Sequence, residues 1–148
     1  MKAYSLIELL IVVSIIGMMA VFGIPSYQRY GKVSQFRDKT EEIKNLVERT
    51  YYLAKNPEGN DVTEYTLKIK TSNLTLYKSG STAPISVISS APGESFTMLW
   101  DIECRTSIPV TCTSSKITFT DTAIKKRAVI NVSFSPTPAI TVEETDLP

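Results

Sequence analysis

Between Leu9 and Ile24 every residue is apolar except Ser14, Gly17 and Gly23, and no other stretch of the chain is comparable. With Leu6 to Glu8 added, the run reaches about 19 residues, or roughly 28 Å of helix against a hydrocarbon core of about 30 Å. One pass through a membrane is the expectation, with everything after Pro25 forming a soluble remainder. Glu8 stands out inside this run, because a carboxylate costs on the order of 2.5 to 3.5 kcal/mol near the centre of an inserted helix and less near its end.

The 148 residues suit one globular unit plus this N-terminal segment. The net charge is +1 and histidine is absent. Near-neutrality gives no electrostatic case for nucleic acid. The lack of histidine excludes Ser/His/Asp and Cys/His nucleophilic sites and His-based zinc sites. No cofactor is expected, and enzyme readings lose ground.

Helical periodicity continues past the apolar run. From Ser26 to Lys55, Val33, Phe36, Thr40, Ile43, Val47, Thr50 or Tyr51, and Ala54 recur at threes and fours, with charged residues on the other face. Asn56-Pro57-Glu58-Gly59 supplies the stop. The helix therefore spans about Ser5 to Lys55, and only its second half is amphipathic. A cleaved secretory signal, cut near Met19-Ala20 or Phe22-Gly23, is the plainer reading of the apolar run. It explains neither the carboxylate nor the helix that follows in register.

The stretch Tyr4-Ser5-Leu6-Ile7-Glu8-Leu9-Leu10-Ile11-Val12-Val13, with a short Lys-bearing leader before it and Gly17, Pro25 and Tyr27 after it, resembles the N-terminus of type IV pilins and the related pseudopilins. The resemblance is close over about 30 residues and looser to Lys55. It implies cleavage between Ala3 and Tyr4 by a prepilin peptidase, followed by N-methylation of Tyr4. The family mostly has glycine before the cut and phenylalanine after it; Ala3 keeps the small size and Tyr4 the aromatic ring.

The family's proposed role for the carboxylate is to pair with a neighbouring subunit's N-terminal amine, so that Glu8 facing Tyr4 sets axial register. Such a pair meets the needs of two charges that would each be costly alone in an apolar bundle. Snorkelling of Glu8 to an interface is the simpler reading. Gly17, Gly23 and Pro25 mark the segment where the family's helix is thought to loosen in filaments. Membrane helices also tolerate glycine and proline for packing or a mild kink, and Pro25 by itself frees a carbonyl one turn earlier.

After Gly59 the period becomes two. Tyr65, Leu67 and Ile69 alternate with polar residues, as do Phe96, Met98, Trp100, Ile102 and Cys104 in one continuous run, then Ile117 with Phe119, and Ile130, Val132 and Phe134. Gly80–Pro84 and Ala91–Glu94 read as turns, and Pro136-Thr137-Pro138 breaks or edges the last strand. The expected fold is α+β: a long N-terminal helix, half membrane-spanning and half amphipathic, packed on an antiparallel sheet head. The expected divisions are a leader (1–3), a transmembrane and polymerisation helix (4–25), its amphipathic continuation (26–56) and a β-rich head (57–148).

Cys104 and Cys112 are candidates for a disulfide, with free thiols or metal and redox chemistry as the alternatives. A bridge would contribute roughly 2.5 kcal/mol on the chain-entropy model. Lys125-Lys126-Arg127 could touch phosphates but reads better as a solvated turn, and Glu143, Glu144 and Asp146 read better as a solvated tail than as a calcium site. Asp101 and Glu103, on one strand face, would be the candidates for an envelope enzyme, which needs carboxylates converging in a cleft.

The resemblance implies a structural subunit of a type IV pilus or pseudopilus. Its partners would be copies of itself or sister pilins, the peptidase, and an inner-membrane assembly platform with its ATPase. Membrane lipid would hold the subunit in the cytoplasmic membrane before assembly, and an extracellular or periplasmic filament would form afterwards. The alternative is a signal-anchored extracytoplasmic β-domain that binds a ligand and does not polymerise.

Overall fold

The computed structural model describes residues 5–57, 63–70, 72–134 and 138–148, with the backbone alone at residues 22–26 and 70. One helix, α1 (Leu6–Lys55), precedes nine strands. These are β1 (Glu64–Lys70), β2 (Asn73–Lys78), β3 (Ser86–Ser89), β4 (Glu94–Met98), β5 (Ile102–Arg105), β6 (Thr111–Cys112), β7 (Ser115–Asp121), β8 (Lys126–Phe134) and β9 (Pro138–Asp146). The chain divides into two compact units, Met1–Phe36 and Arg37–Pro148.

In the first unit the helix is apolar and uncovered from Leu6 to Val21. The expectation of a membrane pass does not survive here. Among the described residues no helix is long and apolar enough to cross a membrane. The membrane-spanning half of the expected fold, and the single-pass stage of the expected localisation, are corrected accordingly.

The second unit is an α+β head. Its helical part buries Thr40, Ile43, Leu46, Val47, Thr50 and Ala54, a stripe at helical spacing. Thr50 sits in this stripe without cost because its hydroxyl donates to the Leu46 carbonyl at 2.8 Å. Leu46 extends the stripe beyond the residues that periodicity alone selected. Where the sequence suggests a single sheet there are two, both antiparallel. One runs β3-β2-β1-β5-β6 and the other β4-β7-β8-β9.

Register follows from alternation, since a slip of one residue would turn every apolar side chain outward. In the first sheet Leu67 stands between Leu76 and Ile102, and Tyr65 opposite Cys104, all of them fully buried. In the second sheet Phe119 pairs with Phe96 on one side and Ala128 on the other. The two phenyl rings stack at 5.2 Å. The helix touches both sheets: Tyr51 stacks on Phe134 of β8 at 6.1 Å, while Leu46 and Arg49 border a hollow with Ser86 and Ile88 of β3.

Two readings of the head are corrected. The run from Phe96 to Cys104 is not one strand: it breaks at Leu99–Asp101, leaving β4 in one sheet and β5 in the other. The acidic tail is solvent-exposed but extended, because Glu143, Glu144 and Asp146 belong to β9, which pairs along its full length with β8.

Candidate assembly surfaces

The N-terminal turn of α1 is built by Ser5-Leu6-Ile7-Glu8. The Ser5 carbonyl accepts from the N–H groups of Glu8 at 3.0 Å and Leu9 at 3.3 Å, which makes Ser5 the N-cap and puts Glu8 at the third helical position. Ser-x-x-Glu is the spacing of a capping box. A carboxylate in the first turn also complements the positive end of the helix dipole, worth about 0.3 to 1 kcal/mol. Glu8 therefore stands where a carboxylate favours the start of the helix, and the Ser-x-x-Glu spacing that marks the position is present in the sequence.

Beyond this turn the helix offers no polar face until its amphipathic half. Exposure of its large apolar side chains runs from 50% at Val12 to 82% at Leu6. Ser14 hides its hydroxyl by donating to the Leu10 carbonyl at 2.8 Å, so even this residue presents little unsatisfied polarity. A methyl group at Gly17 would meet nothing within 4 Å, so nothing in the isolated chain requires glycine there. Gly23 and Pro25 lie in the stretch described by backbone alone, which is helical, and Ala3 and Tyr4 lie outside the described residues.

On the head, Cys104 and Cys112 are joined in a disulfide. They are register partners across β5 and β6, so the bond holds the two-residue strand β6 on the sheet edge. Closing about nine residues contributes roughly 2.5 kcal/mol. The enclosed loop carries Ile108, fully solvent-exposed at 102%. Together with Ser107, Pro109 and Val110 it faces Tyr51 and Lys55 across a hollow of about 320 Å³.

At the opposite end of β5, Leu99 and Trp100 are 62% and 66% exposed. Their backbone is tightly held. Ser115 Oγ donates to the Trp100 carbonyl at 2.6 Å and accepts from its N–H at 3.3 Å, and the Leu99 N–H donates to the Lys116 carbonyl at 3.0 Å. Two large apolar side chains are thus presented on a fixed bend. Sequence alternation assigned Trp100 to a buried face and missed this. The available signal was Leu99, an aliphatic residue at a position where the pattern calls for a polar one.

The charged candidates resolve against each other. Lys126 Nζ lies 2.9 Å from Asp146 Oδ1, Lys125 Nζ donates to the Pro148 carbonyl at 3.3 Å, and Arg37 Nε lies 3.7 Å from Glu144 Oε2. One ion pair, Lys126 with Asp146, thus links the basic run to the acidic tail across the β8–β9 ladder, and among the described residues no group of acidic side chains is placed to hold a metal ion. Asp101 and Glu103 are both exposed, and the hollow that Glu103 borders with Arg105 and Thr111 is not lined by Asp101. Asp101 precedes β5, and its carbonyl accepts from Thr113 Oγ1 at 3.0 Å.

Similarity to known proteins points the same way. The chain is 40% identical over 63 residues to a type IV major fimbrial protein FimA of Dichelobacter nodosus, covering 40% of this chain and 39% of that protein. Two further FimA proteins of the same organism are each 42% identical over 50 residues, about a third of either chain. The chain thus matches about two fifths or less of the length of these curated relatives. No family model and no solved structure matches it.

Proposed function

We propose that this fimbrial, type IV pilin-like chain, structural rather than catalytic, is the subunit of a pilus or pilus-like filament held together by packing of its apolar helices. One observation carries the reading. A folded head with a filled core is joined to a helix whose large apolar side chains from Leu6 to Val21 are all at least half exposed. A helix that is hydrophobic all round is stable only when something covers it. Other copies of the same helix are the cover that similarity to fimbrial proteins favours.

In this reading a prepilin peptidase cuts after Ala3 and methylates the amine of Tyr4. That amine stays largely cationic at neutral pH, since one methyl group does not remove its charge. Glu8 of one subunit meets it in the bundle, and losing either charge would strand the other at a cost of several kcal/mol. Gly17, Gly23 and Pro25 set a segment where the helix can lengthen without dissociating. Copies of the chain or sister pilins, and an assembly platform driven by an ATPase, complete the set of partners.

Mass spectrometry of the mature N-terminus tests the processing step: a methylated Tyr4 is expected, and an intact Met1 on assembled protein would overturn it. Electron microscopy tests the filament. Glu8→Val is expected to abolish incorporation into wild-type filaments, and normal incorporation would sink the pairing role.

A further inference from the structure

We propose that the head carries a head-to-tail contact of its own, in which the Leu99-Trp100-Asp101 bend of one copy seats in the Tyr51–Lys55 hollow of the next. The inference rests on the filament reading but comes from different residues. Trp100 is the chain's single tryptophan and is two-thirds exposed. Its backbone is fixed by Ser115, so little ordering entropy remains to be lost when it docks. Rigidly presented, exposed tryptophan is the residue type that most often dominates an interface.

The hollow has the complementary chemistry. Tyr51 forms an aromatic floor, stacked on Phe134 at 6.1 Å and edge-on to Tyr52 at 5.9 Å. Ile108, Pro109 and Val110 supply apolar lining, and Lys55 borders the same hollow. Its volume of about 320 Å³ is the scale of one large aromatic side chain. Charge matches as well: Asp101 follows Trp100, and an incoming indole would bring that carboxylate toward Lys55. Both side chains are exposed, and among the described residues neither has an ion-pair partner in its own chain. The ammonium is also a cation–π partner for an indole face.

Topology decides what such a contact builds. Trp100 precedes β5 and Ser107 follows it, so the bend and the loop that lines the hollow flank a strand of four residues, about 13 Å long at about 3.3 Å per residue. Trp100 does not line the hollow of its own chain. Two different patches of one chain make a heterologous contact, which repeats head to tail and builds either a ring or an open-ended array; the filament reading calls for the open array.

Zero-length carbodiimide coupling tests this on the full-length chain, assembled from a mixture of normal and heavy-isotope-labelled copies. An amide between Asp101 and Lys55 that joins one normal and one labelled peptide is expected. Trp100→Ala should lower its yield about tenfold or more without moving the denaturation midpoint. Asp101→Lys or Lys55→Asp should each abolish the link, and the double swap should restore it. Filaments without the mixed-label amide would overturn the head contact and leave the filament reading standing. The amide without filaments would support the contact and overturn the filament reading. Absence of both would overturn both.

Discussion

Glu94 Oε2 lies 2.5 Å from Lys39 Nζ and also accepts the Ala91 N–H at 2.7 Å, so one carboxylate fastens the helix to the turn that opens β4. The pair is largely covered, with side-chain exposures of 14% and 19%, and the ammonium sits 5.9 Å from the Phe119 ring centroid. Removing the carboxylate strands a half-buried cation. Glu94→Ala is expected to cost about 2 to 3 kcal/mol. Lys39→Met, which keeps the stem over Phe119, should cost less. Urea denaturation midpoints of the two variants check the order, and an equal or reversed order would show that the pair does not anchor the helix.

Substitutions in the two halves of α1 should separate stability from assembly. Ile43 is fully buried, so Ile43→Ala should cost about 2 to 5 kcal/mol through lost transfer energy and a residual cavity. Leu10 is 59% exposed in the isolated chain, so Leu10→Ala should change unfolding by less than about 0.5 kcal/mol. The same change removes apolar surface that the filament core would cover. Filament yield by electron microscopy should therefore fall for Leu10→Ala while its denaturation curve overlays that of the wild type.

Replacing Cys104 and Cys112 together by serine should lower stability by about 2.5 kcal/mol. The loss should be local before it is global, because β6 has only two residues and a single neighbour, β5. Amide hydrogen exchange should accelerate at Thr111 to Thr113 and remain slow in β7 and β8. Equal acceleration throughout the head would show that the bridge supports the core rather than the edge.

The helix was legible because its second half keeps a 3.6-residue stripe, and the strands at Tyr65–Ile69, Ile117–Phe119 and Ile130–Val132 were legible because each buries alternate residues. β2 escaped because alternation is blurred there: Leu74, Thr75 and Leu76 are consecutively buried, Thr75 being enclosed between Lys68 and Val87 on the flanking strands. β9 escaped because acidic residues are poor strand formers. It forms where Lys126 and Arg37 supply the opposite charge, a long-range fact that no local window contains. The break at Leu99–Asp101 escaped for a related reason: an alternating pattern does not say when a chain changes sheets. At the N-terminus the expectation of a membrane pass rests on the apolar run and passes over the Ser5-x-x-Glu8 spacing of a capping box, which four letters display.

That cap makes Glu8 the most informative position to vary. Glutamine satisfies a capping box as glutamate does, but it carries no charge for the dipole or for an amine. Valine removes both. If Glu8 serves only to start the helix, Glu8→Gln should assemble almost as well as wild type, with the dipole contribution of about 0.3 to 1 kcal/mol as its whole deficit. If Glu8 pairs with the amine of Tyr4 in a neighbouring copy, Glu8→Gln should fail to assemble nearly as completely as Glu8→Val, because the stranded ammonium dominates. Ser5→Ala completes the set: it weakens the cap by about 0.5 to 2 kcal/mol and leaves the carboxylate in place, so filaments should persist. Circular dichroism for helix content and electron microscopy for filament yield, measured on all three variants, separate the roles. The pairing role requires Glu8→Gln to lose filaments while keeping its helix, and it fails if filaments follow helix content instead.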